Sequence, residues 1–275
     1  MKDMFSLENK VCVITGGAGF LAHHVAGAFI EHGASIVLLD LDDIALQDRY
    51  QSLIHSRPAA KVLTLRCDIT NEQDVSEALL TTTEEFGRVD ILINAAANNP
   101  ALQADATLTH SYRVEDFPMN IWERDLAVGI TGAFLCAKHF GSYMSNQQGG
   151  VIINIASDLA LISPDQRLYE IPGRAPDAQP VKPITYSVSK SAMLGLTRYL
   201  ATYWASKNVR VNAVAFGGIE NGQPQEFLQK VSNLIPLGRL ARSDEYSGTL
   251  VYLCSDAASY VNGATIVVDG GRTIW

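Results

Sequence analysis

The sequence has few of the features that mark several classes of protein. Its four cysteines, Cys12, Cys67, Cys136 and Cys254, show neither CxxC nor Cys/His spacing, so we expect free, mostly buried thiols and no metal site. No run of about 18 apolar residues suggests a transmembrane helix, and the first ten residues lack the apolar core of a signal peptide. Acidic residues outnumber basic ones, 29 to 21, which disfavours nucleic acid or an anionic membrane as partner. These absences predict a cytoplasmic protein that acts on a small molecule.

What the sequence does contain is a regular alternation of apolar strands and helical segments, with 47% hydrophobic residues to fill a core. This alternation predicts an α/β fold, a Rossmann-type doubly wound parallel sheet with helices on both faces, in one domain over residues 1–275. The predicted strands are 11–15, 35–40, 61–68, 90–96, 151–157, 209–216 and 265–269. The predicted helices include 20–33, 43–56, 71–87 and 118–146, and one that carries Tyr186 and runs to about Lys207.

Two long polar segments, 97–117 and 158–185, interrupt this alternation. Both follow the carboxyl ends of predicted strands, which is the edge where ligands bind in open α/β sheets. Loops of this length inside a compact domain are often functional. We therefore expect both segments to lie beside the ligand.

The first strand ends in a glycine-rich turn, TGGAGFLA, at residues 15–22. Gly17, Gly19 and Ala22 fit the G-x-G-x-x-G/A fingerprint, whose glycines let the backbone approach a pyrophosphate at a helix N-terminus. Asp40 ends the next strand, where a carboxylate would bind ribose hydroxyls and repel a 2′-phosphate. Since no arginine or lysine directly follows Asp40, the pattern favours NAD over NADP. The alternatives are an ordinary glycine-rich turn and a solvated acid at a strand end.

Tyr186 and Lys190 are four residues apart, so a helix would place both side chains on one face. A phenol is a poor base at neutral pH, but the ammonium group and an oxidised nicotinamide would both favour the phenolate. We therefore expect a lowered Tyr186 pKa and a tyrosine that exchanges a proton with an alcohol. The spacing alone also arises by chance on amphipathic helices.

Further motifs occur in the order typical of one family. They are Asp68 in RCDIT, Asn94 in NAAA, Ser157 in NIAS, the YSVSK segment at 186–190, VRVNAVAFGGI at 209–219 and VNGATIVVDGG at 261–271. Together with the glycine-rich turn they span residues 10–272, and the sequence strongly resembles the short-chain dehydrogenase/reductase family.

The resemblance implies NAD(P)-dependent alcohol oxidation or carbonyl reduction by a homotetramer or homodimer. Ser157 would bind the substrate oxygen, Tyr186 would exchange the proton, and Lys190 would hold the nicotinamide ribose and lower the Tyr186 pKa. The expected cofactor-binding residues are Gly16, Gly17, Gly19, Phe20, Leu21, Asp40, Asp68, Ile69, Asn94, Ala95, Ala96, Tyr186, Lys190, Gly217 and Ile219.

Two departures from the family pattern carry further expectations. Gly129 stands where the family has an asparagine that helps anchor a proton relay, and we expect a bent helix with space there for water. The separation of Ser157 from Tyr186 is longer than usual, which predicts an inserted substrate loop over 158–185. Arg167 in that loop, and Asn98 with Asn99 on the opposing segment, are candidate ligands for a polar or anionic substrate.

The predicted reaction is the NAD-dependent interconversion of a secondary alcohol and a ketone on a sugar, sugar acid or sugar phosphate. The insertion and the GGRTIW ending are most similar to bacterial gluconate/hexonate dehydrogenases and legionaminic-type sugar enzymes. One alternative is a regulatory dinucleotide-binding protein with altered catalysis, which only Gly129 supports. Another is a short-chain reductase for a non-sugar carbonyl.

Overall fold

The computed structural model describes residues 3–98 and 112–275. Within them, seven strands form one parallel sheet in the order β3-β2-β1-β4-β5-β6-β7. The strands are β1 Val11–Thr15, β2 Ser35–Asp40, β3 Val62–Arg66, β4 Ile91–Asn94, β5 Gly150–Ser157, β6 Val209–Phe216 and β7 Thr265–Val268. The helices are α1 Phe20–Glu31, α2 Asp43–Ser56, α3 Glu72–Phe86, α4 Met119–Leu126, α5 Ala133–Cys136, α6 Ser142–Asn146, α7 Ile184–Tyr203, α8 Gln225–Ser232 and α9 Ser247–Cys254. The predicted doubly wound α/β fold is confirmed.

Local signals explain several of the helix boundaries. Asn71 caps α3 by accepting a hydrogen bond from the Gln73 amide, and Gly87 ends the same helix at φ 74°. Asp42 caps α2 in the same way, by accepting from the Ala45 amide. The helix that carries Tyr186 ends at Tyr203, before the predicted Lys207, and residues Ala205–Lys207 form a separate 3₁₀ turn.

The core lies on both faces of the sheet because successive strand residues point in opposite directions. On one face Ile14 and Ile36 pack with Phe29 of α1 and Leu250 of α9. On the other face the neighbouring strand residues pack with α3, the helical segment 119–146 and α7; examples are Val13, Val37, Phe140 and Leu200. This two-sided burial explains why the strands read as continuous apolar runs.

The helical segment from residue 119 to 146 is continuous but irregular. Two π-helical stretches, Ala127–Gly132 and Ala137–Gly141, alternate with α4, α5 and α6. The first stretch contains Gly129, so the helix departs from regular α geometry where the sequence predicted a distortion.

The connections after β4 and β5 lie at the carboxyl edge of the sheet. Between β5 and α7 the chain forms 3₁₀ turns at Asp158–Ala160, Gln166–Tyr169 and Pro176–Ala178. Of the segment 97–117, only residues 97–98 and 112–117 are described.

Across the described ranges, the helices are too short or too polar to cross a membrane.

Candidate active site

The glycine-rich turn sits at the carboxyl end of β1, packed against two neighbouring strands. Gly16 has φ +68°, and a Cβ there would lie 3.0 Å from the Ala96 Cα. A Cβ on Gly17 would lie 2.6 Å from the Leu38 Cβ of β2. Both positions therefore require glycine, Gly16 for its backbone conformation and Gly17 for the close approach of β2.

The turn leaves backbone donors open at the start of α1. The N-cap residue is Gly19, which has no side chain to bond the first-turn amides. Thr15 Oγ1 accepts from the amides of Ala95 and Ala96 at 3.0 and 3.2 Å, so the ends of β1 and β4 are held together beside the turn. Open amides at a helix N-terminus suit a pyrophosphate, and the turn thus fits a dinucleotide.

Asp40, the predicted ribose-binding residue, ends β2 and supports the turn through hydrogen bonds. Its Oδ2 accepts from the Ala18 amide at 3.1 Å and its Oδ1 from the Leu41 amide at 2.8 Å. Arg49 of α2 donates from Nε to the Ala18 carbonyl at 2.9 Å. Arg49 and Asp40 therefore both bind Ala18 of the turn. The sequence analysis missed Arg49 because it follows Asp40 by nine positions in the chain.

The predicted adenine-side residues form a second supported group. Asp68 Oδ1 accepts from the amide and the hydroxyl of Thr70 at 2.9 and 2.7 Å. Ile69 is buried and packs against Gly132 of the first π-helical stretch. A Cβ on Gly132 would lie only 2.6 Å from the Ile69 Cδ1. Asn94 donates to Asn154 Oδ1 at 2.9 Å, which ties β4 to β5. Its own Oδ1 is buried without a hydrogen-bond partner among the described residues.

The end of β6 completes this edge of the sheet. The Gly217 amide donates to Val268 O at 3.0 Å, and a Cβ on Gly217 would lie 3.0 Å from the Asp269 Cα. Ile219 forms a β-bridge with Ala241.

The two remaining predicted cofactor residues begin α1. Phe20 stacks edge-on against His24 with ring centroids 4.8 Å apart, and Leu21 packs against the hydrophobic core that includes Ile14 and Phe29.

Ser157, Tyr186 and Lys190 meet at the carboxyl edge. Ser157 is the last residue of β5, and the other two lie one turn apart on α7. Lys190 is buried, donates from Nζ to Ile155 O at 2.7 Å and lies 5.8 Å from the centroid of the Tyr186 ring. The structure therefore brings together the three residues that the sequence singled out.

The direction of the Tyr186 pKa differs from the prediction. Burial raises the pKa of Tyr186, while a hydrogen bond with Ser157 acts in the opposite direction and the charge of Asp158 adds to the rise. Burial also lowers the pKa of Lys190 to about 8, helped by the nearby Lys182. Burial of the phenol therefore sets the direction in the protein without cofactor, and the lowering of the Tyr186 pKa that the sequence predicted is not found there.

Gly129 leaves no gap beside α7. A Cβ on Gly129 would lie 2.8 Å from the Ser189 Cβ and 3.1 Å from its Oγ. The two helices have closed together at this point, so the expected water-sized space beside Gly129 is not present.

Asn98 belongs to a buried polar network that the sequence analysis missed. Its side-chain amide donates to Asp125 Oδ1 at 3.0 Å, and the Thr185 hydroxyl donates to Asp125 Oδ2 at 2.7 Å. Asp125 itself is only 5% exposed. Through these two hydrogen bonds it joins the loop after β4, α4 and the start of α7. The adjacent candidate Asn99 lies outside the described residues.

Arg167 is not presented to the site as predicted. Its side chain is 79% exposed and forms a two-pronged ion pair with Asp165, with Nε–Oδ1 at 2.8 Å and Nη2–Oδ2 at 2.7 Å. The cation that reaches the site from the 158–185 segment is Lys182, whose Nζ lies 4.2 Å from the centroid of the Tyr186 ring. Burial lowers the pKa of Lys182 to about 8. An Asp-x-Arg pair two residues apart was the local signal that could have excluded Arg167.

A second charged pair, Asp158 and Arg272, lies directly beside Ser157. Ser157 Oγ and Asp158 Oδ1 are 2.7 Å apart, and Arg272 Nη1 and Asp158 Oδ2 are 2.9 Å apart. Sequence reasoning missed both residues because nothing in the local pattern links positions 158 and 272. In the described parts of the chain, no cluster of three His, Cys, Asp or Glu residues is arranged to hold a metal ion.

Comparison with known families gives matches along nearly the whole chain. The family model described as short chain dehydrogenase matches residues 10–169, and the model described as Enoyl-(Acyl carrier protein) reductase matches residues 174–273.

Similar proteins and a similar solved structure extend this result. The D-threitol dehydrogenase of Mycolicibacterium smegmatis is 31% identical over 98% of this chain and 95% of its own. The NAD-dependent glycerol dehydrogenase of Listeria innocua is 30% identical over 98% of this chain and 96% of its own. The crystal structure of a short-chain type dehydrogenase/reductase from Mycobacterium marinum superposes with a TM-score of 0.82 at 31% identity, covering 99% of this chain and 98% of that chain.

Proposed function

Because the chain belongs to the short-chain dehydrogenase/reductase family, we propose that it interconverts a secondary alcohol and a ketone on a sugar, sugar alcohol, sugar acid or sugar phosphate, with NAD as cofactor. The family assignment makes the chain an oxidoreductase of alcohols or ketones that binds a nicotinamide dinucleotide. The observation that carries the proposal is the meeting of Ser157, Tyr186 and Lys190 at the carboxyl edge of the sheet.

Each of the three residues has a distinct proposed role. Tyr186 exchanges the proton with the substrate oxygen, since its phenol lies beside the Lys190 ammonium group at the carboxyl edge of the sheet. Ser157 orients the phenol hydroxyl and the substrate oxygen. Lys190, anchored on Ile155 O, places a positive charge beside the phenol and holds the cofactor ribose. The nicotinamide, when bound, accepts or supplies the hydride.

NAD is favoured over NADP by Asp40. A carboxylate at the end of β2 repels a 2′-phosphate and accepts hydrogen bonds from ribose hydroxyls. The name of the Listeria relative, an NAD-dependent enzyme, supports the same choice. Arg49 acts against this preference because it brings a positive charge to the neighbouring Ala18.

A polar substrate agrees with the groups that border Tyr186. Lys182 lies over its ring, and the Asn98–Asp125–Thr185 network adjoins it through α7. The names of two relatives, which act on D-threitol and on glycerol, point to polyols. We propose that the segment 158–185 forms one wall of the substrate site, with Lys182 as its charged contact, and that Asn98 borders the substrate.

We also propose a cytoplasmic homodimer or homotetramer. Tyr199 and Tyr203 are 66% and 63% exposed on α7, where they stack on each other, and such aromatic surface suits contact with a second copy. The four cysteines are buried and free, as in a reducing compartment.

The test is a change in NADH absorbance, measured with NAD and with NADP, over D-threitol, glycerol, xylitol, gluconate and sugar phosphates. We expect turnover of at least one polyol or sugar acid with NAD, and a loss of about 100-fold or more with Tyr186→Phe. Turnover confined to apolar alcohols would reject the substrate class. Faster turnover with NADP at equal concentration would reject the cofactor choice.

A further inference from the structure

A buried carboxylate links two elements that border the candidate active site. Asp125 of α4 is buried, and its two oxygens have different partners. Oδ1 accepts from Asn98 Nδ2 at 3.0 Å, and Oδ2 accepts from the Thr185 hydroxyl at 2.7 Å. The guanidinium group of Arg124 lies 3.7 Å from Oδ1, but that side chain is 66% exposed and water screens its charge. Burying a carboxylate is costly, so stability alone is a weak reason for its presence.

The hydrogen bond between Asp125 and Thr185 has a structural use. Thr185 lies in the first turn of α7, a helix that has no side-chain cap at its N-terminus. A negative charge near that end is favourable because the helix dipole is positive there. The bond thus helps to place the start of the helix, where Tyr186 directly follows Thr185. It does not explain why Asp125 also holds Asn98.

The hydrogen bond between Asp125 and Asn98 fixes which end of the Asn98 amide faces the carboxylate. A carboxylate only accepts hydrogen bonds, so the NH₂ group of Asn98 must point at Asp125. The opposite rotation would place the amide oxygen against a carboxylate oxygen. The amide oxygen, Oδ1, therefore faces away from Asp125. Asn98 is half-buried, and none of the described residues donates a hydrogen bond to this oxygen.

Asn98 lies at the edge of the sheet where Ser157 and Tyr186 meet. It is the fourth residue after β4, and β4 pairs with β5, which ends at Ser157. Through Asp125 it is two hydrogen bonds away from Thr185, the residue directly before Tyr186. An amide oxygen at this edge can accept a hydrogen from a hydroxyl group, whereas it repels the oxygens of a carboxylate or phosphate.

We propose that Asn98 determines specificity by accepting, at Oδ1, a hydrogen bond from a second hydroxyl of the substrate, and that Asp125 is a positioning residue that holds the amide in this orientation. The proposal rests on the proposed function and narrows it. Besides the hydroxyl that reacts, the substrate carries another hydroxyl within reach of Asn98. Diols and polyols meet this requirement, and alcohols with a single hydroxyl do not.

The first arm of the test measures binding and needs no turnover. Butane-2,3-diol, 3-fluoro-2-butanol and 2-butanol differ at one carbon only, and fluorine is close in size to a hydroxyl but has no hydrogen to donate. Each alcohol is titrated into the protein with bound NADH, and the NADH fluorescence gives its dissociation constant. We expect the diol to bind roughly 3- to 10-fold more tightly than the other two, which corresponds to one net hydrogen bond.

Two variants test the two residues separately. Asn98→Ala removes the acceptor and should weaken binding of the diol by roughly 3- to 10-fold, with no change for 2-butanol. Asp125→Asn lets the Asn98 amide turn over, because an asparagine donates as well as accepts, and should weaken binding of the diol to a smaller extent. Asn98→Ala keeps the bond between Asp125 and Thr185, so it tests the proposal even if Asp125→Asn does not fold.

Matched controls come from exposed residues of the same region. Asn120→Ala and Asp116→Asn make the same chemical changes and should leave all three dissociation constants unchanged. Equal binding of butane-2,3-diol and 3-fluoro-2-butanol to the unaltered protein would overturn the proposal. So would an equal loss for the diol and 2-butanol in Asn98→Ala, or no detectable binding of any of the three alcohols.

The second arm measures oxidation of the diol and 2-butanol with NAD. In Asn98→Ala the value of kcat/KM should fall for the diol and be retained for 2-butanol, with the change mainly in KM because the second hydroxyl does not react. If the alcohols bind as expected but neither they nor D-threitol are oxidised, the role of Asn98 stands and the proposed reaction is wrong. If the diol is oxidised with the same preference over 2-butanol in both proteins, the reaction stands and the role of Asn98 is wrong.

Discussion

Gly129 and Ser189 mark the point where the irregular helix 119–146 packs against α7, with only 2.8 Å between the Ser189 Cβ and the place where a Gly129 Cβ would be. Ser189 immediately precedes Lys190, so this contact helps to set the position of the lysine. The family asparagine cannot enter here unless the helices separate. Gly129 is therefore a packing requirement of this chain, and it does not by itself indicate a loss of catalysis.

Restoring the family residue should be harmful. Gly129→Asn and Gly129→Ala are expected to lower the free energy of unfolding by about 1–3 kcal/mol because they overpack the helix contact. The measurement is urea unfolding followed by circular dichroism. Gly195→Ala on α7 is the matched control, since nothing lies within 4 Å of its Cβ position, and it should stabilise the helix by up to about 1 kcal/mol. Higher activity in a stable Gly129→Asn protein would contradict this account.

Tyr186→Phe removes the hydroxyl that exchanges the proton. Turnover should fall about 100-fold or more, while NADH binding, followed by fluorescence, changes little. Tyr199→Phe alters an exposed tyrosine of the same helix and should keep its turnover. Comparable loss in both variants, or near-normal turnover of Tyr186→Phe, would remove Tyr186 from the reaction.

Asp40→Asn should shift the cofactor preference towards NADPH, because it removes the charge that repels a 2′-phosphate and leaves the positive charge of Arg49 nearby. Dissociation constants for NADH and NADPH, from fluorescence titration, measure the shift. Adding Arg49→Gln should abolish the gain for NADPH. Asp43→Asn, which changes an exposed acid at the start of α2, serves as the control. Tighter NADPH than NADH binding in the unaltered protein would contradict the role of Asp40.

The lowered pKa values of Lys190 and Lys182 predict how stability depends on pH. Both lysines titrate at about 8 in the folded protein, whereas unfolded lysine titrates near ~10.4. Between these values the unfolded form of each lysine binds more protons, so each lysine contributes a rise of the free energy of unfolding with pH. The four buried cysteines oppose this rise, because burial raises the pKa of their thiols and the unfolded thiols lose protons first. Urea unfolding from pH 7.5 to about 9.5 covers most of this window.

Lys182→Met isolates one of the two contributions. It should make the slope of the free energy of unfolding against pH less positive than in the unaltered protein, and Lys207→Met, at an exposed position, should leave the slope unchanged. The same slope in Lys182→Met and in the unaltered protein would show that burial does not control Lys182.

The sequence by itself determined the features that depend on near neighbours in the chain. Alternating apolar runs indicated the strands of the parallel sheet, Asn71 and Gly87 marked the ends of α3, and the positive φ of Gly16 follows from a tight turn that only glycine adopts easily. The YSVSK spacing likewise placed Tyr186 and Lys190 on one face of a helix before any packing was known.

Only the tertiary structure decided which distant groups meet. Asp158 and Arg272 are 114 positions apart, and Asp125 joins Asn98 to Thr185 across three separate elements. The direction of the Tyr186 pKa also depended on how deeply the finished fold buries the phenol. Periodicity and caps are set within a few residues, whereas desolvation and long-range hydrogen bonds arise when strands and helices pack. The polar surroundings of Ser157 and Tyr186 could therefore not be read from local pattern.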